Sequence, residues 1–363
     1  MKNVFGNNLT ITLFGESHGK GIGAVIDGIA PGIKVDEDFI RSQLDLRRPF
    51  GDISTTRAEK EEFIIYSGVF EGFTTGTPIC IVIPNNDTKS KDYSEIKDKM
   101  RPGHADYTAS AKYHGFADYR GGGHFSGRIT AAIVAAGAIV ISVLRSKGIY
   151  IGTHISRCAG VIDAQFNNLN EEINELNGKQ FAVIDDDVAE IMKSAITDAK
   201  AMGDSVGGVL ETAVIGMPEG VGEPWFDTAE GMLSHALFSI PAIKGVEFGA
   251  GFSISDMLGS EANDEFYYNG DKVLTKTNNN GGINGGITNG MPIIFRTAVK
   301  PTPTISKVQN TIDIKSKENT EFIAKGRHDP CIVHRARVVV DSITALVLCD
   351  LLIGRFGTDW QVK

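Results

Sequence analysis

Cysteine is scarce in this chain of 363 residues, with four copies at positions 80, 158, 331 and 349. No two of them form a C-x-x-C pair, and no histidine stands at zinc-finger spacing from them, so no metal site is predicted. The pattern also lacks the density of a disulfide framework. We therefore predict reduced, mostly buried thiols in a cytoplasmic protein.

Other absences narrow the class of protein further. The first residues contain no apolar run of the signal-peptide kind. The longest uncharged run, residues 129–144, is short for a bilayer span and rich in alanine, so it predicts a buried helix and no membrane partner. The formal net charge of −9 argues against nucleic-acid binding, which needs a basic face. An anionic ligand would therefore depend on a local cluster of cations.

The sequence also lacks a long linker, a low-complexity tract and a short repeat. Although the length alone suggests about two domains, we predict one compact α/β unit. Strand-like patterns occur at residues 9–14, 23–29, 63–70, 79–83, 149–161, 206–216 and 293–299. Helical patterns occur at residues 36–47, 128–147, 185–201, 228–238 and 338–353. The helices over 128–147 and 338–353 are apolar enough to be buried, whereas residues 84–101 predict an exposed loop with a short helix.

What the sequence does contain is three separated segments that join a turn-forming glycine or proline to ionisable side chains. They are Gly-Glu-Ser-His-Gly at residues 15–19, Arg-Pro-Gly-His-Ala-Asp at 101–106 and Arg-His-Asp-Pro-Cys at 327–331. A histidine occurs in all three. A packed core does not need this combination, but a site that moves protons around an anion does.

The histidines of the first two segments each have a functional and a structural interpretation. His18 follows a predicted strand, and an imidazole pKa near 6.5 suits a general acid at neutral pH; alternatively it caps a neighbouring carbonyl. For His104, the carboxylate of Asp106 can orient the ring. The same segment can also open a helix from Ala105, with Asp106 stabilising the helix dipole, and both interpretations can hold together.

A glycine-rich segment, Arg-Gly-Gly-Gly-His-Phe-Ser-Gly-Arg-Ile-Thr at residues 120–130, precedes the strongest predicted helix. Three glycines let backbone N–H groups approach a ligand, and a helix N-terminus favours anions. Ser126 can donate a hydrogen bond and Arg128 can bind phosphate or carboxylate through two N–H groups. No Gly-Lys-Ser/Thr follows, so this is not a Walker A loop. The alternative is a flexible loop with Ser126 as the N-cap.

Two further loops have weaker patterns. Residues 281–290 are rich in glycine and asparagine and predict close backbone approach to a flat or phosphorylated ligand, although such turns are common. Lys-Pro-Thr-Pro-Thr at residues 300–304 places a cation and two hydroxyls on a stiff backbone, which suits a phosphate or a carbonyl-rich ring. The alternative for the second is an ordinary proline-rich loop.

The arginines outside these loops have equally open interpretations. Arg47 and Arg48 end the first predicted helix, where they stabilise its dipole or bind a substrate anion together with Arg57 and Lys60. Arg327 beside Asp329 predicts an anion contact with a proton acceptor, or a surface salt bridge of little weight.

Arg335 and Arg337, which follow that pair in the chain, can equally be solvated.

In their order along nearly the whole chain, these segments resemble the signature segments of the chorismate synthase family. The resemblance implies one domain over residues 1–363, a β-α-β sandwich with long buried helices between its sheets and internal pseudo-symmetry. It also implies a homotetramer. The implied reaction is the anti 1,4-elimination of phosphate from 5-enolpyruvylshikimate 3-phosphate to chorismate, the last step of the shikimate pathway. The family needs reduced FMN, which lends an electron transiently without net redox change.

The resemblance assigns roles by motif. His18 would protonate the departing phosphate, His104 would supply a proton at the flavin pyrimidine edge, and Asp329 would take part in proton removal near flavin N5. The hydroxyls that support these groups would be those of Ser17 and Ser126. The substrate-binding arginines would be Arg47, Arg101, Arg128 and Arg327. The flavin would be lined by His124, Phe125, Ser126, Gly285, Lys300, Pro301, Thr302, Pro303, Thr304 and Arg327.

The chain departs from the common family pattern at three places. His124-Phe125 stands where many members have Arg-Ser, and Asp341 replaces a usual glutamate. Ile53 stands where an arginine is common, which bears on any NADPH contact near Arg47. NADPH is implied only for members that reduce their own flavin, and the lack of a reductase-like segment favours an external flavin reductase.

Two other classes of protein fit part of the pattern. A flavin-dependent oxidoreductase would need a nicotinamide or other electron partner, and no G-x-G-x-x-G fingerprint opens a βαβ unit here. A non-catalytic binder of phosphorylated metabolites would explain the arginines. It would not explain two histidines and an aspartate in motif positions.

Overall fold

The computed structural model describes residues 2–55, 61–85, 97–324 and 328–363. A first antiparallel sheet is built from β1 (Val4–Phe5), β2 (Thr10–Gly15), β3 (Gly21–Asp27), β4 (Ile64–Ser67) and β7 (Ile79–Pro84). Its strand order is β1-β2-β3-β7-β4. A hairpin of β5 (Val69–Phe70) and β6 (Phe73–Thr74) follows β4. The sequence predicted one strand over 63–70, but Gly68 turns the chain there with a φ of +83°.

A second antiparallel sheet is built from β8 (Tyr150–Cys158), β9 (Val161–Ile162), β10 (Gly208–Ile215), β11 (Ile243–Phe248) and β16 (Ile293–Val299). Its strand order is β11-β16-β10-β8-β9. The remaining hairpins are β12 (Phe266–Asn269) with β13 (Lys272–Thr275), β14 (Ile283–Asn284) with β15 (Ile287–Thr288), and β17 (Gln309–Asp313) with β18 (Glu318–Phe322). The protein is thus a mixed α/β protein.

The helices of the described residues vary widely in length. They are α1 (Glu37–Leu46), α2 (Asp106–Lys112), α3 (Thr130–Ser146), α4 (Leu169–Gly178), α5 (Asp186–Ala201), α6 (Ala229–Leu237), α7 (Gly259–Ala262) and α8 (Val333–Phe356). Helix α1 begins at its N-cap Asp36, whose carboxylate accepts from the Phe39 N–H at 2.9 Å, and ends at Arg47. These are the boundaries that the spacing predicted.

The two longest helices join the two sheets. Helix α3 packs against β3 and β7, helix α8 packs against β8 and β10, and α3 and α8 pack against each other. Their approach is close at Gly137, where a Cβ atom would lie 2.4 Å from the Cβ of Ser342. The prediction that the small residues of α3 admit another element is therefore confirmed.

Helix α3 is apolar because it lies in the core. Among the described residues, the stretch Gly127–Ser146 alone has the length and composition to cross a bilayer, and most of it is buried inside the protein. The prediction of a buried helix is confirmed. All four cysteines lie in the described part of the chain and are free thiols, three of them buried and Cys80 partly so.

Helix α8 begins five residues before the predicted start at 338. Its first turns contain His334, Arg335 and Arg337, which interrupt the apolar pattern. Yet His334 and Arg337 are buried, and Arg337 donates to the carboxylate of Asp341 at 3.1 Å and to the carbonyl of Lys179 at 2.9 Å. The sequence pattern did not predict the helix start, because these polar residues are buried where apolar residues are expected.

The predicted loop over 84–101 is only partly described, because residues 86–96 lie outside the described ranges. At its end, Lys99 forms an isolated antiparallel bridge with Asp313. The sequence patterns did not predict helix α4 or the β12–β13 and β17–β18 hairpins.

Candidate active site

A cavity of about 1160 Å³ is lined by residues from many parts of the chain, including Arg47, Glu61 and His235, and five motif segments meet there. The segments are the turn after β2, the residues before α2, the glycine-rich segment before α3, the loop after β16 and the residues before α8. The three motif segments of the sequence therefore lie around one space. A cavity of this size is large enough for more than one small ligand.

His18 lies in the turn after β2 and is 7% exposed. Its ring packs directly on Gly121, where a Cβ atom would lie 2.2 Å from the His18 Cε1. The Ser17 N–H donates to the carbonyl of Gly123 at 3.1 Å, which ties the turn to the glycine-rich segment. Both Ser17 and His18 line the cavity.

His104 approaches the same glycines from the other side. A Cβ atom on Gly122 would lie 3.2 Å from the His104 Cε1. Gly121, Gly122 and Gly123 all have positive φ, at 59°, 86° and 55°. The sequence predicted that these glycines let the backbone approach a ligand; in the structure, Gly121 and Gly122 make room for two histidine rings.

The ring of His104 is oriented by a compact ion cluster. Its Nδ1 lies 2.8 Å from the Asp106 Oδ1, and Arg101 donates to the two Asp106 oxygens at 2.6 and 2.7 Å. Burial opposes ionisation of Asp106, but the hydrogen bonds from Arg101 and His104 hold its pKa well below the usual value. With Nδ1 donating to Asp106, Nε2 is the ring nitrogen that remains to exchange a proton.

Asp106 also belongs to the first turn of α2, whose N-cap is Ala105. Both interpretations of this segment therefore hold together. Arg101, which the family resemblance assigns to substrate binding, lines the cavity. Its N–H groups donate to Asp106.

Arg47 and Arg128 lie side by side in the cavity wall and share one carboxylate. Arg47 forms a short ion pair with the Glu61 Oε1, and Arg128 donates to the same oxygen at 2.8 Å. The other contacts of Arg47 are to the Thr130 hydroxyl at 2.9 Å and the Gly127 carbonyl at 2.8 Å. Burial lowers the pKa of Arg47 to about 10, although Glu61 opposes the shift.

Arg128 is held on its other side by the Asn85 side-chain oxygen at 3.2 Å and the Pro84 carbonyl at 3.3 Å. Glu61 was missed by sequence reasoning, since an acidic residue before a strand carries no signal of its own. Arg57 and Lys60, considered as partners of Arg47, lie outside the described residues, and so does Arg327.

Asp329 is fixed by partners from three other segments. Its Oδ1 accepts from the Thr55 N–H at 2.9 Å, and its Oδ2 accepts from Arg335 at 2.5 Å. Its carbonyl accepts from the Thr302 hydroxyl at 2.7 Å. Arg335 also donates to the Arg47 carbonyl at 2.8 Å. The Arg335 side chain is therefore not solvated. It connects the Asp329 carboxylate with the backbone of Arg47, one of the paired arginines.

The loop after β16 contributes a cation and hydroxyls to the cavity, as predicted. The lining members are Lys300, Thr302, Pro303 and Thr304. Pro301 does not line the cavity formed by the described residues; it packs at Gly207, where a Cβ would lie 2.9 Å from the Pro301 Cδ. Lys300 Nζ donates to the carbonyl of Gly103, which connects this loop to the His104 segment.

Two of the residues that depart from the family pattern lie at the site. His124 and Phe125 line the cavity, and the His124 Nδ1 lies 2.8 Å from the Gly15 carbonyl. Ser126 lines it too, while its Oγ accepts from the Arg128 N–H at 3.3 Å as the N-cap of Gly127–Ile129. The capping alternative for Ser126 is thus correct. Ile53 is buried in the core.

The second glycine-rich loop, residues 281–290, does not line this cavity within the described chain. A Cβ on Gly281 would lie 2.6 Å from the Gly249 N, and one on Gly282 would lie 2.5 Å from the Pro292 carbonyl oxygen. These glycines approach the chain's own backbone. Gly285 is exposed, and a Cβ added there would meet open space, so it stands apart from the other residues assigned to the flavin.

The mixed α/β fold brings two histidines, an aspartate and paired arginines around one cavity, an arrangement typical of enzymes that act on small molecules. The comparisons with known proteins are specific. The family profile described as chorismate synthase matches residues 9–353. The chorismate synthase of Pyrococcus abyssi is 48% identical over 358 residues, and that of Thermococcus gammatolerans is 46% identical over 359, each covering 99% of both chains.

Solved structures agree with these relatives. A crystal structure of chorismate synthase superposes with a TM-score of 0.76 at 30% identity, covering 97% of this chain and 94% of the other. The chain belongs to the chorismate synthase family. The predicted resemblance is confirmed.

Proposed function

We propose that this protein is a cytoplasmic carbon–oxygen lyase that eliminates phosphate from 5-enolpyruvylshikimate 3-phosphate to form chorismate. The observation that carries the proposal is the convergence of His18 and His104 on Gly121 and Gly122, in the cavity that also contains Asp329. The anti 1,4-elimination removes a ring proton and a phosphate. It therefore needs a proton acceptor, a proton donor and cations for a polyanionic substrate, and the cavity offers all three.

The proposed roles follow from the environment of each side chain. His18, nearly buried, protonates the departing phosphate, since a solvent-shielded imidazole can transfer a proton directly. His104, oriented by Asp106, supplies a proton at the flavin edge. Asp329, held by Thr55 and Arg335, takes part in removing the ring proton.

Arg47, Arg101 and Arg128 bind the substrate's phosphate and carboxylates in this proposal, together with Arg327. Each described arginine is pre-oriented by an internal carboxylate, either Glu61 or Asp106. Pre-orientation lowers the entropic cost of binding, since the side chains do not have to be ordered when the ligand enters.

We infer that the cavity also holds a flavin beside the substrate. Its volume of about 1160 Å³ exceeds what a small phosphorylated ring needs. Lys300, Thr302 and Thr304 would hold the flavin's polar groups, and Phe125 would contribute an apolar contact. When bound, reduced FMN supplies the transient electron that the elimination needs, without net oxidation.

The architecture supports a further part of the proposal. We infer one domain over residues 1–363, arranged as a β-α-β sandwich with internal pseudo-symmetry. In each half, a five-stranded antiparallel sheet is associated with a long helix, α3 in the first and α8 in the second.

We infer a homotetramer from the family, and three strongly exposed aromatic side chains would suit contacts between copies. Trp225, Phe226 and Phe252 are 85, 95 and 85% exposed. Clusters of large apolar side chains on a surface mark contacts between proteins.

The proposal is tested by anaerobic phosphate release from 5-enolpyruvylshikimate 3-phosphate with dithionite-reduced FMN, repeated with NADPH and oxidised FMN. Activity with dithionite alone identifies a chorismate synthase that depends on an external flavin reductase, which we expect. Activity under both conditions adds intrinsic flavin reduction by NADPH. A folded protein that is silent in both contradicts the proposal and favours a binder of phosphorylated metabolites.

A further inference from the structure

Glu61 lies in the cavity wall, but the proposed reaction assigns it no function. Its side chain is 6% exposed and lines the cavity between Arg47 and Arg128. Only one of its two oxygens, Oε1, takes part in the ion pairs with these arginines. The other oxygen, Oε2, is buried and has no hydrogen-bond partner among the described residues.

An unpaired buried carboxylate oxygen destabilises a protein, because the group loses its water without gaining another donor. Such exceptions call for an explanation at the site where they occur. Solvent does not satisfy this oxygen, because it has almost no accessible surface. Glu61 lines the cavity, and a turn of its carboxylate about the Cγ–Cδ bond, a torsion with a broad minimum, would present Oε2 to a donor group of a ligand there.

The chemistry of the missing partner is constrained. A carboxylate held by two guanidinium groups is an acceptor only, so its partner has to be a hydroxyl or an N–H group. Arg47 and Arg128 beside it favour an anion. The ligand that satisfies both is an anion with a donor group next to its acidic group.

We propose that Glu61 is a specificity-determining residue whose Oε2 accepts a hydrogen bond from a ring hydroxyl of the substrate. The inference rests on the proposed function, because 5-enolpyruvylshikimate 3-phosphate carries one free ring hydroxyl beside its phosphate. Charge-assisted hydrogen bonds to a buried acceptor discriminate strongly against a ligand that lacks the donor. Glu61 thus selects the hydroxylated ring, while the arginines bind its anionic groups.

The test compares two ligands of equal charge, 5-enolpyruvylshikimate 3-phosphate and its 4-deoxy analogue. Binding is measured by calorimetry with oxidised FMN and no reductant, so that no turnover occurs. The wild-type protein is expected to bind the hydroxylated ligand at least about tenfold more tightly. In Glu61→Gln this preference is expected to fall to about twofold, because the arginines hold the amide oxygen and leave an N–H₂ group where Oε2 stood.

Glu62→Gln is the matched control. It removes the same charge one residue along the chain from an exposed side chain, and it should keep the wild-type preference. The proposal is overturned if Glu61→Gln keeps the wild-type preference, whether its affinities for the two ligands fall equally or rise equally. Equal weakening would mean that Glu61 only holds the arginines, and equal tightening that it only competes with the ligand's charge.

The wild-type measurement is decisive even if Glu61→Gln does not fold. Equal affinity for the two ligands in the wild-type protein overturns the role of Glu61 and leaves the proposed function standing. Failure of the wild-type protein to bind either ligand overturns both.

Discussion

The chain contains two glycine-rich loops that look alike in sequence and differ in what they pack against. In the loop before α3, Gly121 and Gly122 lie against the rings of His18 and His104. In the loop over 281–290, Gly281 and Gly282 lie against the backbone of neighbouring strands. A glycine run shows that something comes close to the backbone, but not whether it is a ligand, a side chain or another strand. The residues that approach decide whether the loop belongs to the active site.

The largest effect is expected from His18→Ala, which removes the proposed proton donor to phosphate. Turnover should fall by about two to four orders of magnitude, the usual contribution of a general acid. The measurement is phosphate release under anaerobic conditions with reduced FMN, beside calorimetric binding of the substrate. Retained binding with lost turnover separates an enzyme from a binder. A near-normal rate would reject the role of His18.

Gly121→Ala should reproduce much of that loss without touching a proton-transfer group. The new Cβ would lie 2.2 Å from His18 Cε1, and the residue has a φ of +59°, so the imidazole has to move. A displacement of about 1 Å in an active site can cost about 100-fold in rate. The variant is to be assayed for turnover and for its melting temperature. Normal turnover in a folded Gly121→Ala protein would show that the ring position does not matter.

Gly282→Ala is the counterpart in the second loop and should affect stability instead of chemistry. Its Cβ would lie 2.5 Å from the Pro292 carbonyl oxygen at a φ of +81°, so the backbone becomes strained. We expect the free energy of unfolding to fall by about 1–3 kcal/mol, with turnover of the folded fraction unchanged. Chemical denaturation and the same assay test this. If Gly282→Ala lost turnover but kept its full stability, the two loops would not differ in this way, and the second loop would belong to an active site.

The smallest effect concerns the cluster that holds His104. Arg101 and His104 lower the pKa of Asp106 in the folded protein, so its contribution to stability is present above the unfolded value of about 3.9. That contribution is lost as the pH falls from there through the folded pKa. Asp106→Asn should therefore be less stable than wild type by about 1–2 kcal/mol at pH 6, with a smaller difference at pH 3. Denaturant unfolding at both values measures it, and a difference independent of pH would contradict the assignment.

Sequence patterns predicted helices and strands correctly where the buried residues recur at one period, either that of a helix or that of a strand. Helix α1 and strand β16 lie where the spacing placed them, since one apolar face defines each. The start of α8 was missed, because His334 and Arg337 are buried polar residues that bond to distant partners, His334 through its Nε2 to the Ser54 hydroxyl and Arg337 to the Lys179 carbonyl. Hairpins with exposed strands, such as β12 with β13, lack the alternation that pattern reasoning needs.

Within the cavity lie His18, His104 and Asp329, which the sequence predicted as site residues, but few of their partners were predicted. Motifs pointed to His18, His104 and Asp329 because ionisable groups in glycine turns are unusual in a core. Nothing in the sequence marked Glu61, and Arg335 was left open as a solvated side chain, since isolated charged residues are common on any surface.

The sequence by itself determined the family, the order of the elements and the set of ionisable groups available for chemistry. These depend on local patterns and on motifs of a few residues. The tertiary structure alone decided which groups meet: Arg47 with Glu61 and Thr130, Asp329 with Thr55, and His18 with Gly121. These pairs are separated by 14 to 274 residues in the chain, so only the packing of the two sheets and their helices brings them into contact.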